Sequence, residues 1–167
     1  MTEPRTVIPH ETRDRSIDGA RGAQTAPDSV VCFLLAGKPY ALDVAVVREV
    51  VSIDKLLPVP RTPAAIVGAF ALRGATVALV DTRILFGLDA SAAATTALVV
   101  ARGHRTICGL TIDRVLGVTP FTDAKFTPAV RGREPPQVAG FMADERGALL
   151  TVLDTATIVR SLEGLRF

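Results

Sequence analysis

The sequence predicts a mainly β protein in which two small β-barrels pack side by side, with a few short helices. From residue 30 onward, short runs of Val, Ile and Leu recur about every ten residues and are separated by Gly, Pro and Asp. This is the pattern of β-strands joined by tight turns. In addition, ALRGATVALVDT at 71–82 returns as DERGALLTVLDT at 144–155. The repetition indicates a diverged tandem of one β unit.

The two sequence halves align at two different offsets. Gly37 and Arg48 match Gly103 and Arg114 at a spacing of 66 residues, whereas the Arg-Gly-Ala elements lie 73 residues apart. The second half is therefore longer, and we expect the insertion in its proline-rich loop. Each half has about five short strands, and closing them into a barrel would remove both exposed sheet edges. Apolar residues shared along the seam would join the two barrels.

The first half divides into strands and turns, with one loop at 55–63. This segment is expected to be a loop because its three prolines cannot donate hydrogen bonds to a sheet. The segments are strand VVCFLLA (30–36), a Gly-Lys-Pro turn, strand YALDV (40–44), strand or extended AVVREVVSI (45–53), loop KLLPVPRTP (55–63), a hairpin of AIVGAFAL and ATVALVD around Arg73-Gly74, and a helical turn TRILF (82–86) ending at Gly87.

The second half repeats this order after the linker DASAAATT. A loop with four prolines is expected over 119–137, and a hairpin is centred on Glu145-Arg146-Gly147. Apolar residues at 158, 159 and 162 fit a closing helix over 155–162. The other expected segments are strands ALVVA, TICGLTI and DRVLGV, with Gly103-His104 in a turn.

The expected domain organisation follows from these segments. Residues 1–29 include nine charged residues and no periodicity, so we expect a flexible tail. The folded domain is expected over 30–162, with a first subdomain at about 30–90 and a second at about 97–154. No apolar run reaches the roughly 20 residues that cross a bilayer. The sequence thus predicts a soluble, cytoplasmic protein.

The aspartates that end the repeated element, Asp81 and Asp154, suggest two roles. Aspartic proteases bring one carboxylate from each half together to activate water. Here the residues after Asp-Thr are Arg83 and Ala156, whereas the protease motif needs glycine, and the chain is too short for two protease lobes. Each aspartate instead stands between a strand and a helical segment, where its side chain can accept a backbone N–H. We expect helix caps.

No other catalytic or ligand-binding pattern is present in the sequence. His10 lies in the tail and His104 in a turn, so neither suggests a nucleophile–base pair. Cys32 and Cys108 have no metal-ligand neighbours and are expected to be buried thiols. The sequence therefore predicts no catalytic residues, cofactor or metal. A net charge of +2 without a basic stripe, one Tyr and no Trp also argue against nucleic acid.

Arg73 is the one candidate contact residue that the pattern itself indicates. It sits beside Gly74 at a predicted hairpin tip, where a rigid turn could present a long cation to a partner's carboxylate. The alternative is an ordinary solvated turn residue, which is what we expect of Arg146. The charged pair in VVREVV (46–51) is either a solvent-facing part of a strand or part of a contact surface.

Four segments resemble the signature segments of CheW-type chemotaxis coupling proteins, in the same order. The resemblance covers residues 30–162, and the combined pattern is specific although each segment alone is weak. The segments are FLLAGKPYALDVAVVREVV, VPRTPAAIVGAFALRGATVALVDTRILFG, LTIDRVLGVTPF and VAGFMADERGALLTVLDTATIV.

The resemblance implies two SH3-like five-stranded barrels and no enzymatic activity. Proteins of this family couple chemoreceptors, the methyl-accepting chemotaxis proteins, to the regulatory domain of the histidine kinase CheA. It also implies recruitment to receptor arrays at the inner face of the membrane, without insertion into it. Carried over by motif, the residues implied to bind receptor or kinase are Val44, Val47, Glu49, Gly68, Arg73 and Val118.

Ala71 departs from the family pattern, which has asparagine before Leu-Arg-Gly. The side-chain hydrogen bonds of that asparagine are missing here, and the hairpin could sit differently. Two other functions stay open: a divergent adaptor of a non-flagellar chemosensory pathway, and a double-barrel module that binds a small ligand. The latter needs polar groups converging in an apolar cleft, and the sequence identifies none.

Overall fold

The computed structural model describes residues 26–89 and 95–164, with the side chain of Ala124 left aside. This part of the chain is mainly β, in two sheets with few short helices, as the sequence predicts. The strands are β1 (Ser29–Leu35), β2 (Lys38–Asp43), β3 (Val47–Ser52), β4 (Ile66–Leu72), β5 (Ala75–Val80), β6 (Thr96–Arg102), β7 (Arg105–Ile112), β8 (Arg114–Pro120), β9 (Phe126–Pro128), β10 (Val138–Ala143) and β11 (Leu149–Leu153). The α-helices are α1 (Thr82–Leu85) and α2 (Thr155–Glu163), and 3-10 turns occupy Val44–Val46 and Asp123–Lys125.

The two sheets each contain strands from both sequence halves. The five-stranded sheet has the order β3-β6-β7-β5-β4, and the six-stranded sheet has the order β8-β1-β2-β11-β10-β9. Hairpin β1–β2 thus lies with strands of the second half, and hairpin β6–β7 lies with strands of the first. The two halves have exchanged their first hairpins. The expected boundary between residues 90 and 97 separates the two sequence units, not the two sheets.

The exchange preserves an internal pseudo-symmetry. Replacing each strand of the five-stranded sheet by its counterpart in the other half gives β8-β1-β2-β11-β10, which is the six-stranded sheet without β9. Each sheet also has one parallel pair, β5–β7 or β11–β2. Strand β9 lies in the segment 119–137 that we expected to be loop throughout, because three residues that end in a proline give no readable alternation. It pairs with β10.

Three apolar clusters form the core. The largest joins the two sheets along a seam that also includes Ile158 and Leu162 of α2, and the other two lie within one sheet each. Along β1, Val31 and Phe33 face the seam, whereas Cys32 faces the interior of its own sheet. Strands β1 and β6 are buried on both faces, which is why their sequences are unbroken apolar runs. The shared seam is confirmed.

The strand-to-helix junctions confirm the helix-cap interpretation of the two aspartates. The carboxylate of Asp81 accepts the backbone N–H of Arg83 at 2.9 Å, at the start of α1. The carboxylate of Asp154 accepts the N–H of Thr157 at 2.8 Å, in the first turn of α2. Each cap stabilises its helix by about 1 kcal/mol.

The described part of the chain holds no helix long and apolar enough to cross a membrane. Within the same residues, no three His, Cys, Asp or Glu side chains are grouped to hold a metal ion. Cys32 and Cys108 are free and buried. Burial raises the pKa of the Cys108 thiol to about 12, so this group is not a reactive nucleophile.

Candidate partner-contact site

Glu49 of β3 and Arg73 of the β4–β5 turn form an ion pair. Nη2 of Arg73 donates to Oε2 of Glu49 at 3.1 Å. Strands β3 and β4 are the two ends of the five-stranded sheet, yet Val51 of β3 packs with Phe70 of β4 in one interior cluster. The sheet therefore curves around a shared interior, and the ion pair links β3 to the β4–β5 turn.

The two members of the pair have very different environments. The Arg73 side chain is 62% exposed, whereas the Glu49 side chain is 4% exposed. Oε1 of Glu49 is buried and accepts no hydrogen bond within residues 26–89 and 95–164. A buried carboxylate is costly unless it is paired. Glu49 thus holds Arg73 in place, and the remaining guanidinium N–H groups are open to a partner's carboxylate or carbonyl oxygen.

The local backbone explains how the sequence places both groups. A β-bulge between Val47 and Glu49 shifts the register of β3, so Val47 faces the seam whereas Glu49 and Val51 share the interior face. Arg73 has φ 49° and Gly74 has φ 82°. Two positive φ values in a two-residue loop are typical of a type I′ turn. This tight turn fixes the backbone position from which the Arg73 side chain extends.

Val47, which the resemblance implies to be a contact residue, lies in the core. Its side chain is 1% exposed and belongs to the seam cluster, and its contact role stays a prediction. Val44 lies in the 3-10 turn before β3 and is partly buried against the same cluster. Both valines pack in the seam cluster or against it, next to β3.

Gly68 is buried and acts through the backbone. A Cβ at this position would lie 2.6 Å from Cγ of Leu56 and 2.8 Å from the carbonyl oxygen of Leu57. Leu57 exchanges two backbone hydrogen bonds with Ala69, at 2.7 and 2.8 Å. Glycine is thus needed for the proline-rich loop to cross β4, and it leaves Leu56 and Leu57 substantially exposed beside that strand.

Val118 lies on the other sheet, at its edge. It is 51% exposed on β8, and Leu116, two residues before it, is 45% exposed. Strand β8 pairs with β1 on one side and ends the six-stranded sheet on the other. Two exposed apolar side chains on an edge strand are suited to contact with another protein. The structure thus joins Glu49 to Arg73 and places Val118 on a separate sheet.

Arg48 and Asp113 are structural residues whose roles the sequence did not reveal. Arg48 donates from Nη1 to Oγ1 of Thr106 at 2.8 Å and from Nη2 to the carbonyl of His104 at 2.9 Å, which fastens β3 to the β6–β7 turn. The charged pair in VVREVV, Arg48 and Glu49, is therefore not simply a solvated part of the strand, because both side chains bind other residues of the chain. The alignment of Arg48 with Arg114 drew attention to this arginine, but it did not indicate which residues its side chain binds.

Asp113 fastens the β1–β2 turn in the other sheet. Its Oδ2 accepts the N–H of Gly37 at 3.2 Å, and its Oδ1 accepts a hydrogen bond from Nη2 of Arg83 at 2.9 Å. Burial acts to raise the pKa of the Asp113 carboxyl, but the bonds from Arg83 and Gly37 outweigh it and hold the pKa below its usual range.

Comparison with known proteins assigns this architecture to a family. The CheW-like domain family model matches residues 29–163. This chain belongs to the CheW-like family. Proteins of this family are scaffold and adaptor proteins of chemotaxis, so the expectation that the chain is not an enzyme is confirmed at the level of the family.

The relatives agree with this assignment at low sequence identity. A probable chemotaxis protein CheW of Rhizobium etli is 26% identical over 59% of this chain and 64% of its own length. The chemotaxis protein CheW of Helicobacter pylori is 33% identical over 50% of this chain and 51% of its own length. The matched segments thus span about half to two thirds of these curated relatives.

A solved structure shows the same fold. The crystal structure of the scaffolding protein TtCheW from Thermoanaerobacter tengcongensis matches with a TM-score of 0.66 and 26% identity, over 77% of this chain and 89% of that one. The predicted two-barrel fold class is confirmed by this likeness together with the two sheets.

Proposed function

We propose that this protein couples the cytoplasmic tips of chemoreceptors to the regulatory domain of a CheA-type histidine kinase. Family membership supports the adaptor class. The observation that carries the proposal is the exposed guanidinium of Arg73, held on a rigid turn by a buried carboxylate. Such a group binds an anionic or carbonyl-rich partner with a fixed geometry and little further ordering.

The contact surface that we propose has a charged part and an apolar part. Arg73 supplies the charge at the junction of β3 and β4, with Glu49 as its positioning residue. Val118 and Leu116 supply an apolar strip on β8. Charged groups set specificity and orientation, whereas buried apolar area supplies most of the affinity. Recruitment to receptor arrays at the inner face of the membrane would follow from these contacts.

Binding of the purified chain to the regulatory domain of each CheA-type kinase from the same genome tests the proposal. Isothermal titration calorimetry should give saturable micromolar binding, and cosedimentation with receptor cytoplasmic fragments should show the second contact. Arg73→Glu and Val118→Glu are compared with Arg146→Glu, which changes the matching arginine of the second half.

The variants assign each surface to its partner. A variant that binds kinase but loses receptor places its residue on the receptor surface, and the reverse pattern places it on the kinase surface. Arg146→Glu should bind both partners as the wild type does. A folded wild-type chain that binds neither partner, or an Arg73→Glu chain that binds both normally, would overturn the proposal.

A further inference from the structure

A cavity of about 720 Å³ lies beside the proline-rich loop of the second half. Phe121, Phe126 and Val130 of this loop line one side, and Val152 and Leu153 at the end of β11 line the other. Most of the rise in the offset between the two halves, from 66 to 73 residues, falls in this loop, since Gly68 and its counterpart Gly140 already lie 72 residues apart. The insertion that distinguishes the second half therefore also builds the cavity.

Four carboxylates surround this apolar cavity. Asp43 and Asp154 are half-buried, and Asp123 and Glu134 come from the loop, against one basic lining residue, Arg131. Carboxylates thus outnumber guanidinium groups four to one among the lining residues. The charge of the cavity is complementary to that of a cation.

Asp43 and Asp154 have one oxygen each available for a ligand. Oδ1 of Asp43 accepts the N–H of Ala45 at 2.9 Å, and Oδ1 of Asp154 accepts the N–H of Thr157 at 2.8 Å. These caps use Oδ1, and within residues 26–89 and 95–164 no hydrogen bond is made to Oδ2 of either side chain. Burial raises the pKa of the Asp43 carboxyl and the nearby Asp28 adds to this, while the bond from Ala45 opposes it. A bound cation would relieve that penalty.

We propose that this cavity binds a small organic cation with an apolar body, its ammonium or guanidinium group held by Asp43 and Asp154. Cavities that take small organic ligands have volumes of about 300–1,000 Å³, apolar walls and a few converging polar groups. The cavity has a volume in this range, and its lining combines apolar side chains with four carboxylates. The Arg73–Glu49 pair is not part of its lining, so the cavity is separate from the charged part of the proposed contact surface.

Phenethylammonium chloride is a suitable probe, because it joins an aromatic ring to one ammonium group. It is titrated into the ¹⁵N-labelled full chain while amide shifts are followed, with 2-phenylethanol as the neutral analogue and phenylacetate as the anionic one. We expect saturable shifts at residues 43, 121–139 and 152–155 with the cation. The neutral analogue should bind at least about tenfold more weakly and the anion not at all, because two carboxylates lose their partner.

The variant Asp43→Asn/Asp154→Asn removes both charges but keeps both caps, since asparagine also accepts a backbone N–H. It should weaken phenethylammonium binding by at least about tenfold while the melting temperature stays close to that of the wild type. Asp81→Asn is the matched control. It alters the equivalent cap at α1, outside the cavity lining, and should leave binding unchanged.

Three outcomes would overturn the proposal. The first is the absence of cavity shifts at about 10 mM phenethylammonium, a concentration that would reveal even millimolar affinity. The second is equal binding of phenylacetate, or equal weakening by Asp81→Asn. The third is a shift of the cavity signals by a kinase regulatory domain but not by the cation, which would make this a protein contact. The wild-type titration decides the matter even if a variant fails to fold.

Discussion

The same Arg-Gly-Ala sequence has different structures in the two halves of the molecule. In the first half, Leu72 pairs with Ala75 and the turn consists of Arg73 and Gly74. In the second half, Asp144 binds Ala148 through the backbone, and its carboxylate accepts the N–H groups of Arg146 and Ala148 at 2.8 and 2.7 Å. An aspartate thus organises the second turn as a longer loop.

Strand β3, which carries Glu49, also differs from its counterpart β8 in the second half. Glu49 pairs with Val99 on β6, and the corresponding pair in the other sheet is Val115 with Phe33 on β1. A valine therefore occupies the position of the buried carboxylate, and among the described residues the Arg146 side chain forms no ion pair. The comparison shows that the repeated arginine is held by an ion pair only where β3 places a carboxylate beside it.

Strands β3 and β8 are also counterparts, and substitutions in them should have opposite consequences. Val47→Glu puts a charge into the seam and should lower the free energy of unfolding by about 3–5 kcal/mol. Val118→Glu, on an exposed face, should change it by no more than about 0.5 kcal/mol. Urea unfolding checks both values. A stable Val47→Glu chain would mean that Val47 is not part of the core.

Removing Arg73 tests whether the ion pair is confined to the first half. Arg73→Ala leaves the Glu49 carboxylate buried and unpaired, and should lower the free energy of unfolding by about 1–2 kcal/mol, because the guanidinium is largely exposed. Arg146→Ala should lower it by less than about 0.5 kcal/mol. Equal losses in urea unfolding would contradict the difference between the halves.

Glu49→Val makes the first half resemble the second. Replacing a buried ion by a hydrophobic residue is often neutral or stabilising, so the free energy of unfolding should stay within about 1 kcal/mol of the wild type. Partner binding should nevertheless weaken by about tenfold or more, because Arg73 is no longer held in position. Calorimetry with the kinase regulatory domain and receptor cosedimentation measure this. Full affinity for both partners would show that Glu49 has no positioning role.

The smallest effect concerns the anchors of the exchanged hairpins. Arg48 fastens the β6–β7 turn by donating a hydrogen bond to the carbonyl of His104. Asp113 fastens the β1–β2 turn by accepting a hydrogen bond from the N–H of Gly37. Because the pKa of Asp113 is lowered by folding, its carboxylate stabilises the fold above the unfolded value of about 4. This contribution is lost as the pH falls through the folded pKa.

Asp113→Asn should therefore lower the free energy of unfolding at neutral pH by less than about 1 kcal/mol, since the side chain is 34% exposed. The difference from the wild type should shrink as the pH falls through the lowered pKa of Asp113. Urea midpoints measured from neutral pH into the acid range check the trend. A difference that is constant over the whole range would exclude a contribution from ionisation of Asp113.

Local patterns accounted for much of the fold. The apolar runs marked nearly all the strands, Arg73-Gly74 gave its hairpin, and Asp81 and Asp154 gave the starts of two helices. Strand β9 was missed because a three-residue edge strand that ends in a proline has no alternation to read. For the contact site, the motif indicated both Glu49 and Arg73, but nothing in it indicated that they touch.

The sequence by itself determined the number of β units, their order and the class of protein, because these depend on periodicity, turn residues and a motif that are local in the chain. Only the tertiary structure decided which strands share a sheet, that Val47 is buried, that Glu49 holds Arg73, and that a cavity forms beside the longer loop. Each of these depends on contacts between residues far apart in the chain. Hairpin exchange sets which strands share a sheet, and the β-bulge in β3 sets which faces Val47 and Glu49 occupy. Neither leaves a periodic trace in the sequence.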